Sequence, residues 1–265
     1  MTTDTLPTTP TDQGTGSPTA AAVAFEWLKL ASVRSTWWGA AATVATAAVS
    51  ALALGLSAAA SAESGVAAEQ AAPQVAAMGL LLAQLGLITV ATLAITGEYS
   101  SGTIAVSLQA VPRRSLLLTA KAVVVSAFGA GLGVVTSVVA TVVAVVSMGD
   151  RGLFTWSDAV LTTLGIGGWL AILGIVSLGL GTVLRSTAGT VTSLLLVLLA
   201  APQLLMLMPF EWSTVVADHL PSTAATVVMS RVEDPYPVAT ALLVLVAWAA
   251  AILGAGRVAL VGRDA

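Results

Sequence analysis

Ala122-Val123-Val124-Val125-Ser126-Ala127-Phe128-Gly129-Ala130-Gly131-Leu132-Gly133, continued as far as Gly149 without a charged side chain, decides the medium in which this chain folds. As helix, about 20 such residues already cross a hydrocarbon layer of roughly 30 Å. The composition of the whole chain agrees: 57% of its residues are hydrophobic and 9% charged, whereas soluble domains carry about 25% charge. This is the make-up of a membrane protein. The formal charge of −3 says little, because the side on which charges lie matters more in a bilayer than their sum.

Outward from that run, further uncharged intervals punctuate the chain, and six spans are expected near 38–60, 75–96, 117–147, 160–183, 189–209 and 238–257. Runs of Ala, Leu and Val without polar alternation predict helices and an all-α polytopic fold, since backbone groups in lipid must bond within their own segment. The third interval is longer than one crossing needs and is expected to tilt or project. Pro202 and Pro209 predict a kink or broken end in the fifth. Gly129 with Gly133, and Ser177 with Gly181, stand four apart and predict close helix packing.

Basic residues orient the spans, since cytoplasmic loops retain them. With the N-terminus inside, Lys29, Arg34, Arg113, Arg114, Lys121, Arg185, Arg257 and Arg263 are cytoplasmic, and only Arg151 and Arg231 fall outside. The external loops hold acidic residues such as Glu69, Asp150, Glu211 and Asp234. The expectation is a multi-pass plasma-membrane protein with both termini cytoplasmic. Residues 1–23, rich in Thr and Pro, read as a disordered tail. The first span lies too far from Met1 and runs too long for a cleaved signal, so it reads as an anchor.

Two segments at the cytoplasmic surface stand out. From Ala24 to Thr36 the chain is amphipathic: Phe25, Leu28 and Ser32 share a face beside Trp27, Leu30 and Val33, and Glu26, Lys29 and Arg34 lie mostly around the other side. Such a helix lies in the interfacial plane, with Trp37 and Trp38 at headgroup depth. Between spans two and three, Ile104, Leu108 and Val111 fall at helical spacing between Gly102 and Pro112, which predicts a short surface helix. Glu98 closes the span before it. Arg113, Arg114 and Lys121 open the span after it and are expected to reach anionic headgroups or an acidic partner.

Little else has the make-up of a chemical site. There is no cysteine, which excludes disulfides and thiolate chemistry. The lone histidine, His219, beside Asp218, is too little for zinc, and no metal site is expected. No Gly-x-x-x-x-Gly-Lys-Ser/Thr loop occurs, so ATP is not bound in that manner, and nothing points to nucleic acid. Gln84 and Gln203 are the notable polar side chains at depth and the candidates for a substrate path, with structural interhelical bonding as the plainer reading.

With these residues in view, the chain resembles the membrane subunits of ATP-binding cassette transporters of the ABC-2 type. The likeness lies in Phe25-Glu26-Trp27-Leu28-Lys29-Leu30 leading to Arg34-Ser35-Thr36-Trp37-Trp38, in Glu98-Tyr99-Ser100-Ser101-Gly102-Thr103, in Pro112-Arg113-Arg114 with Lys121, and in Leu184-Arg185-Ser186. It spans residues 24–262. It implies a transmembrane domain over those residues, an elbow helix at 24–36 carrying Glu26, Lys29 and Arg34, and a coupling helix around 102–110 seated in a groove of a separate cytoplasmic ATPase. Coupling then falls to Glu98, Gly102, Thr103, Ile104, Leu108, Arg113, Arg114 and Lys121. ATP and magnesium would sit on that partner and no cofactor on this chain. A second permease copy, identical or related, would complete an exporter working by alternating access, and the loop at 210–236 has room for short re-entrant helices. Where family members usually carry a basic residue after the Gly-Thr pair, this chain has Ile104-Ala105-Val106, leaving more of the contact to packing. Two other readings use the same residues: an ion-coupled secondary carrier, and a membrane scaffold that recruits a cytoplasmic protein. The absence of an ionisable residue well inside any span counts against proton coupling.

Overall fold

Ser17 opens the first helix: its hydroxyl accepts the Ala20 N–H at 3.2 Å, and Pro18 occupies the first turn, where its missing N–H costs nothing. The helix, α1 (Pro18–Ser32), therefore begins six residues before the expected 24. The structure, a computed structural model, describes residues 17–65, 70–111 and 113–262. Residues 1–16 of the expected tail, together with Glu69, Pro112 and Arg263, lie outside these.

Val33, in extended conformation, breaks α1 from α2 (Arg34–Glu63), and the Trp37 indole N–H donates back to the Ala31 carbonyl at 2.9 Å. A short α3 (Ala72–Met78) precedes α4 (Leu80–Ser100), and α5 (Ile104–Ala110) follows. Two long helices come next, α6 (Arg114–Met148) and α7 (Trp156–Leu184). The chain continues through α8 (Thr187–Leu195), a π-helical turn (Leu196–Ala200) and α9 (Ala201–Met206). It closes with α10 (Glu211–Asp218), α11 (Pro221–Ser230) and α12 (Val238–Gly262). Among the described residues no strand forms; one isolated bridge pairs Ala71 with Leu153. The protein is all-α, and among the described residues six helical segments are long and apolar enough to cross a membrane: Arg34–Glu63, Leu80–Ser100, Arg114–Arg151, Trp156–Leu184, Thr187–Met206 and Val238–Gly262.

Each corresponds to an expected span, and two differ in detail. The second, expected at 75–96, is divided at Met78 and Gly79, so that α3 packs separately and α4 runs on to Ser100. The fifth carries the distortion foreseen from Pro202. Its ring has no N–H to give and would press on the carbonyl four residues back, and the wider π turn at Leu196–Ala200 lies just ahead of it. The helix then stops at Met206, short of Pro209.

The bundle is built around α6 and α7. A methyl group on Gly129 would stand 2.5 Å from the Leu170 carbonyl oxygen, and one on Gly133 2.7 Å from the Gly167 Cα, so backbone meets backbone there. The second foreseen pair serves other contacts: Ser177 is fully buried and bonds the Leu173 carbonyl at 2.7 Å, while Gly181 abuts Ile95 of α4. Trp169, Leu170 and Leu173 of α7 form the core with Leu87 and Ile88 of α4 and Ala47 and Ala51 of α2. Thr96 and Thr182 return their hydroxyls to carbonyls four residues back, satisfying them without water. The outer surface is as apolar as the core: along α6, Val135, Val138, Val142 and Val146 stand more than half exposed, a face that suits lipid and not water.

Replacing Gly133 by Val should destabilise the protein by about 1–3 kcal/mol through overpacking. The same change at Gly131, where an added Cβ meets nothing within 4 Å, should leave stability unchanged. Thermal unfolding of the two variants in detergent checks the contrast, and equal effects would contradict the packing described.

Candidate functional site

At the end of the bundle where α4, α5 and α6 meet, four charges from three helices come together. Glu26 and Lys29 arrive from α1, Glu98 from the last turn of α4 and Lys121 from the second turn of α6. Lys121 is 2% exposed. Its ammonium donates to Glu26 Oε2 at 2.7 Å, Glu98 Oε1 at 2.6 Å and the Ala94 carbonyl at 3.1 Å. Lys29 Nζ donates to Glu26 Oε1 at 3.1 Å, to Glu98 Oε1 and to Ser107 Oγ of α5 at 3.1 Å.

Two carboxylates and two ammonium groups sum to zero, and each ammonium has three N–H groups to give, so all six are used. For the ammonium groups that is the condition under which buried charge is tolerable, while of the carboxylate oxygens Glu98 Oε2 is buried with no hydrogen-bond partner among the described residues. Burial alone would pull the Lys29 ammonium below its ordinary value, but the hydrogen bond to Glu98 and the charges of Glu26 and Glu98 outweigh it and raise it. Lys29 therefore stays protonated through neutral pH.

This geometry seats the charged stripe of α1 against the protein, where its periodicity predicts only an amphipathic helix in the interfacial plane. Its buried stripe is Ala22, Glu26 and Leu30, while Trp27 and Leu28 are exposed. Amphipathicity was legible; what was not is that the charged side meets protein and the apolar side faces outward, toward lipid in a membrane. The reason is Lys121. Placed two turns into α6, it cannot reach the surface, so Glu26 and Glu98 turn inward to it.

A left-handed turn at Gly102 (φ +71°) leads from α4 into α5, a conformation open to glycine without a Cβ clash. Ser101 and Thr103 join hydroxyls across it at 2.8 Å. In α5, Ile104 and Ser107 are buried and Leu108 is partly buried, with Val111 buried just beyond. This is the inner stripe, packed on Leu117, Leu118 and Ala120 of α6 and on Leu260 of α12. The outer stripe is Ala105, Val106, Gln109 and Ala110. Near this end the Arg185 guanidinium, at the left-handed cap of α7, lies 4.7 Å from the centre of the Tyr99 ring, and Thr96 meets Thr187 at 2.7 Å.

A family model described as ABC-2 family transporter protein matches residues 22–201, which takes in every member of this charge cluster. The chain belongs to that family. It is an ABC-type permease, a multi-pass membrane protein of a class that works with an ABC ATPase subunit and generally lacks an ATPase site of its own. No curated protein matches the chain.

The permease brings some of the sequence-predicted residues together and separates others. Glu26, Lys29, Glu98 and Lys121 form one site. Gly102, Thr103 and Arg113 are exposed around α5, and Arg34 is exposed at the start of α2. Arg114 donates to the Leu260 carbonyl at 3.0 Å, tying α6 to α12. Ile104 points into the protein and holds α5 in place; Val106 and Gln109, which the sequence reading did not single out, occupy the free face. The complement of the 104–108–111 stripe would have found them. Ser107 was also missed, for one hydroxyl in a short helix carries no pattern. Gln84 and Gln203 do not converge. Gln84 is buried, accepting the Trp169 indole N–H at 3.0 Å and donating to the Leu81 carbonyl at 3.0 Å, whereas Gln203 is exposed on α9. Among the described residues no group of three His, Cys, Asp or Glu could hold a metal ion.

Lys121→Met should cost about 3–5 kcal/mol, because it strands two buried carboxylates on one lysine. Adding Glu98→Gln should return part of that loss. Thermal stability of the two single variants and the double variant checks the coupling, and simple additivity would contradict a shared site.

Proposed function

We propose that this permease is the membrane half of an ATP-driven exporter and receives its power stroke at α5 from a separate cytoplasmic ATPase that holds ATP and magnesium. The observation that carries this reading is the way α5 is mounted. Its inner stripe and Ser107 join it to α1, α4 and α6 through the buried charges, while Ala105, Val106, Gln109 and Ala110 stay free on the other side. A short helix with one face anchored and the other free transmits a push from a partner to three other helices at once. In this reading the end of the bundle bearing the charge cluster is cytoplasmic, as the distribution of Lys and Arg favours, and both termini lie there.

The free face is small and nearly apolar. It suits a shallow apolar groove, where affinity comes from packing more than from charge. Arg113 and Arg34, exposed nearby, supply positive charge at its rim for anionic headgroups or acidic side chains of the ATPase. Two permease copies, identical or related, would face one another across the membrane, each with an ATPase beneath it. ATP-driven closure of the ATPases would tilt α1, α2, α4 and α6 against the partner copy and so alternate access.

An ion-coupled carrier and a passive scaffold remain the competing readings, and one experiment separates them. Val106→Glu puts a charge on the free face without touching the anchored one. It should reduce co-purification of the cognate ATPase by at least about tenfold, as expected for burying an unpaired charge in an interface, and abolish permease-stimulated ATP hydrolysis, with the thermal stability of the permease unchanged. Hydrolysis indifferent to the permease would overturn the reading. So would labelling, from outside intact cells, of a cysteine placed at Gln109 in this naturally cysteine-free chain.

A further inference from the structure

A second site lies at the opposite end of the bundle from the charge cluster. Between α3, α4, α7 and α11 is a cavity of about 460 Å³, within the range of about 300–1,000 Å³ typical of small-molecule sites. Its walls are mostly apolar, and its polar groups are few and grouped. Buried Gln84, braced by Trp169 and the Leu81 carbonyl, has one amide N–H and one carbonyl lone pair left over. Ser222 Oγ is buried and has no hydrogen-bond partner among the described residues. Ser222, Thr226 and Ser230 stand four apart on α11, so their hydroxyls make one stripe along the cavity. Among the described residues, Asp234, exposed in the segment after α11, is the ionisable side chain in the lining.

From these features we infer that the cavity binds a small monocationic amphiphile, with its apolar body between α4 and α11, a hydrogen-bonding group toward Gln84 and Ser222, and its ammonium toward Asp234. Charge complementarity selects the class. Among the described residues no basic side chain lines the cavity, so an organic anion would meet Asp234 without a counter-charge from them, whereas a cation gains there. The braced amide gives a fixed acceptor and donor at depth, as expected of a site whose polar groups orient a ligand. The α11 wall lies beyond residues 22–201, the part matched by the family model, while the α3, α4 and α7 walls lie within it. The inference does not depend on ATP coupling, because binding is read on the permease alone.

The test titrates three compounds of one shape, 4-phenylbutylammonium, 4-phenylbutanol and 4-phenylbutyrate, into the purified full-length permease in nanodiscs without any ATPase, followed by saturation-transfer NMR. The ammonium should bind saturably and tightest, the alcohol about twofold to fivefold more weakly, as an exposed ion pair allows, and the carboxylate weakest. Asp234→Asn should bring the ammonium to the level of the alcohol. Thr226→Trp, at an exposed position on the cavity wall, should abolish binding of all three in protein that still elutes as a folded species. Absence of saturable ammonium binding would overturn the inference, as would an order unaffected by Asp234→Asn or binding that survives in folded Thr226→Trp. Should Thr226→Trp fail to fold, Asp234→Asn in its exposed segment decides alone. Loss of ATPase coupling on Val106→Glu leaves this titration unaffected, so the two proposals fail separately.

Discussion

Lys121 can sit where it does only because two carboxylates come to it. An ammonium held out of water costs several kcal/mol unless it is paired and its hydrogen bonds are filled, and each partner comes from a different helix. Glu26 brings α1 down onto the bundle, Glu98 ends α4 at the same level, and Lys29 completes the neutral set while reaching Ser107 of α5. Remove the lysine and α1 loses the reason to turn its charged stripe inward. The position of α5 then depends on the short stripe of Ile104, Leu108 and Val111 alone.

Elsewhere the bundle is held by means suited to lipid, where apolar surface gains nothing by leaving the solvent. Glycines on α6 and α7 bring the backbones together, hydroxyls return to carbonyls in their own helix, and a π turn makes room ahead of Pro202. These devices are uncharged and local, so they stiffen pairs of helices. The charge cluster is the arrangement that binds four elements at one point. The two ends of the molecule are thereby built differently: one is a closed set of charges under a free apolar helix face, and the other is an open cavity with spare hydrogen-bonding capacity. That contrast fits a machine driven at one end and loaded or emptied elsewhere.

The spans were legible in the sequence because uncharged length is a physical requirement of the bilayer and needs no knowledge of partners. The distortion at Pro202 and the close approach at Gly129 and Gly133 were legible for a similar reason: a missing N–H and a missing Cβ act wherever they occur. The charged residues were harder. Glu26 and Lys29 repeat with the period of an amphipathic helix, but periodicity says which residues share a face and not what the face meets, so their burial against Lys121 was not legible. Ile104 and Leu108 posed the same ambiguity, since a stripe of apolar residues on a seven-residue helix suits an anchor as well as a docking face. The pairing of Lys121 with Glu26 joins residues 95 positions apart, and the stripe of Ser222, Thr226 and Ser230 is ordinary helix sequence until α4 and α7 stand opposite it.

The clamp that the buried charges place on α1 and α5 is directly measurable, because the chain has no native cysteine. Spin labels at Trp27 on α1 and Gln109 on α5, both exposed, report the distance between the two helices by pulsed electron resonance. A single narrow distribution is predicted for the otherwise unaltered permease, and a broad or shifted one when Lys121→Met is added. An identical narrow distribution in both would mean that α1 and α5 keep their places without the charges, and the central claim would be contradicted.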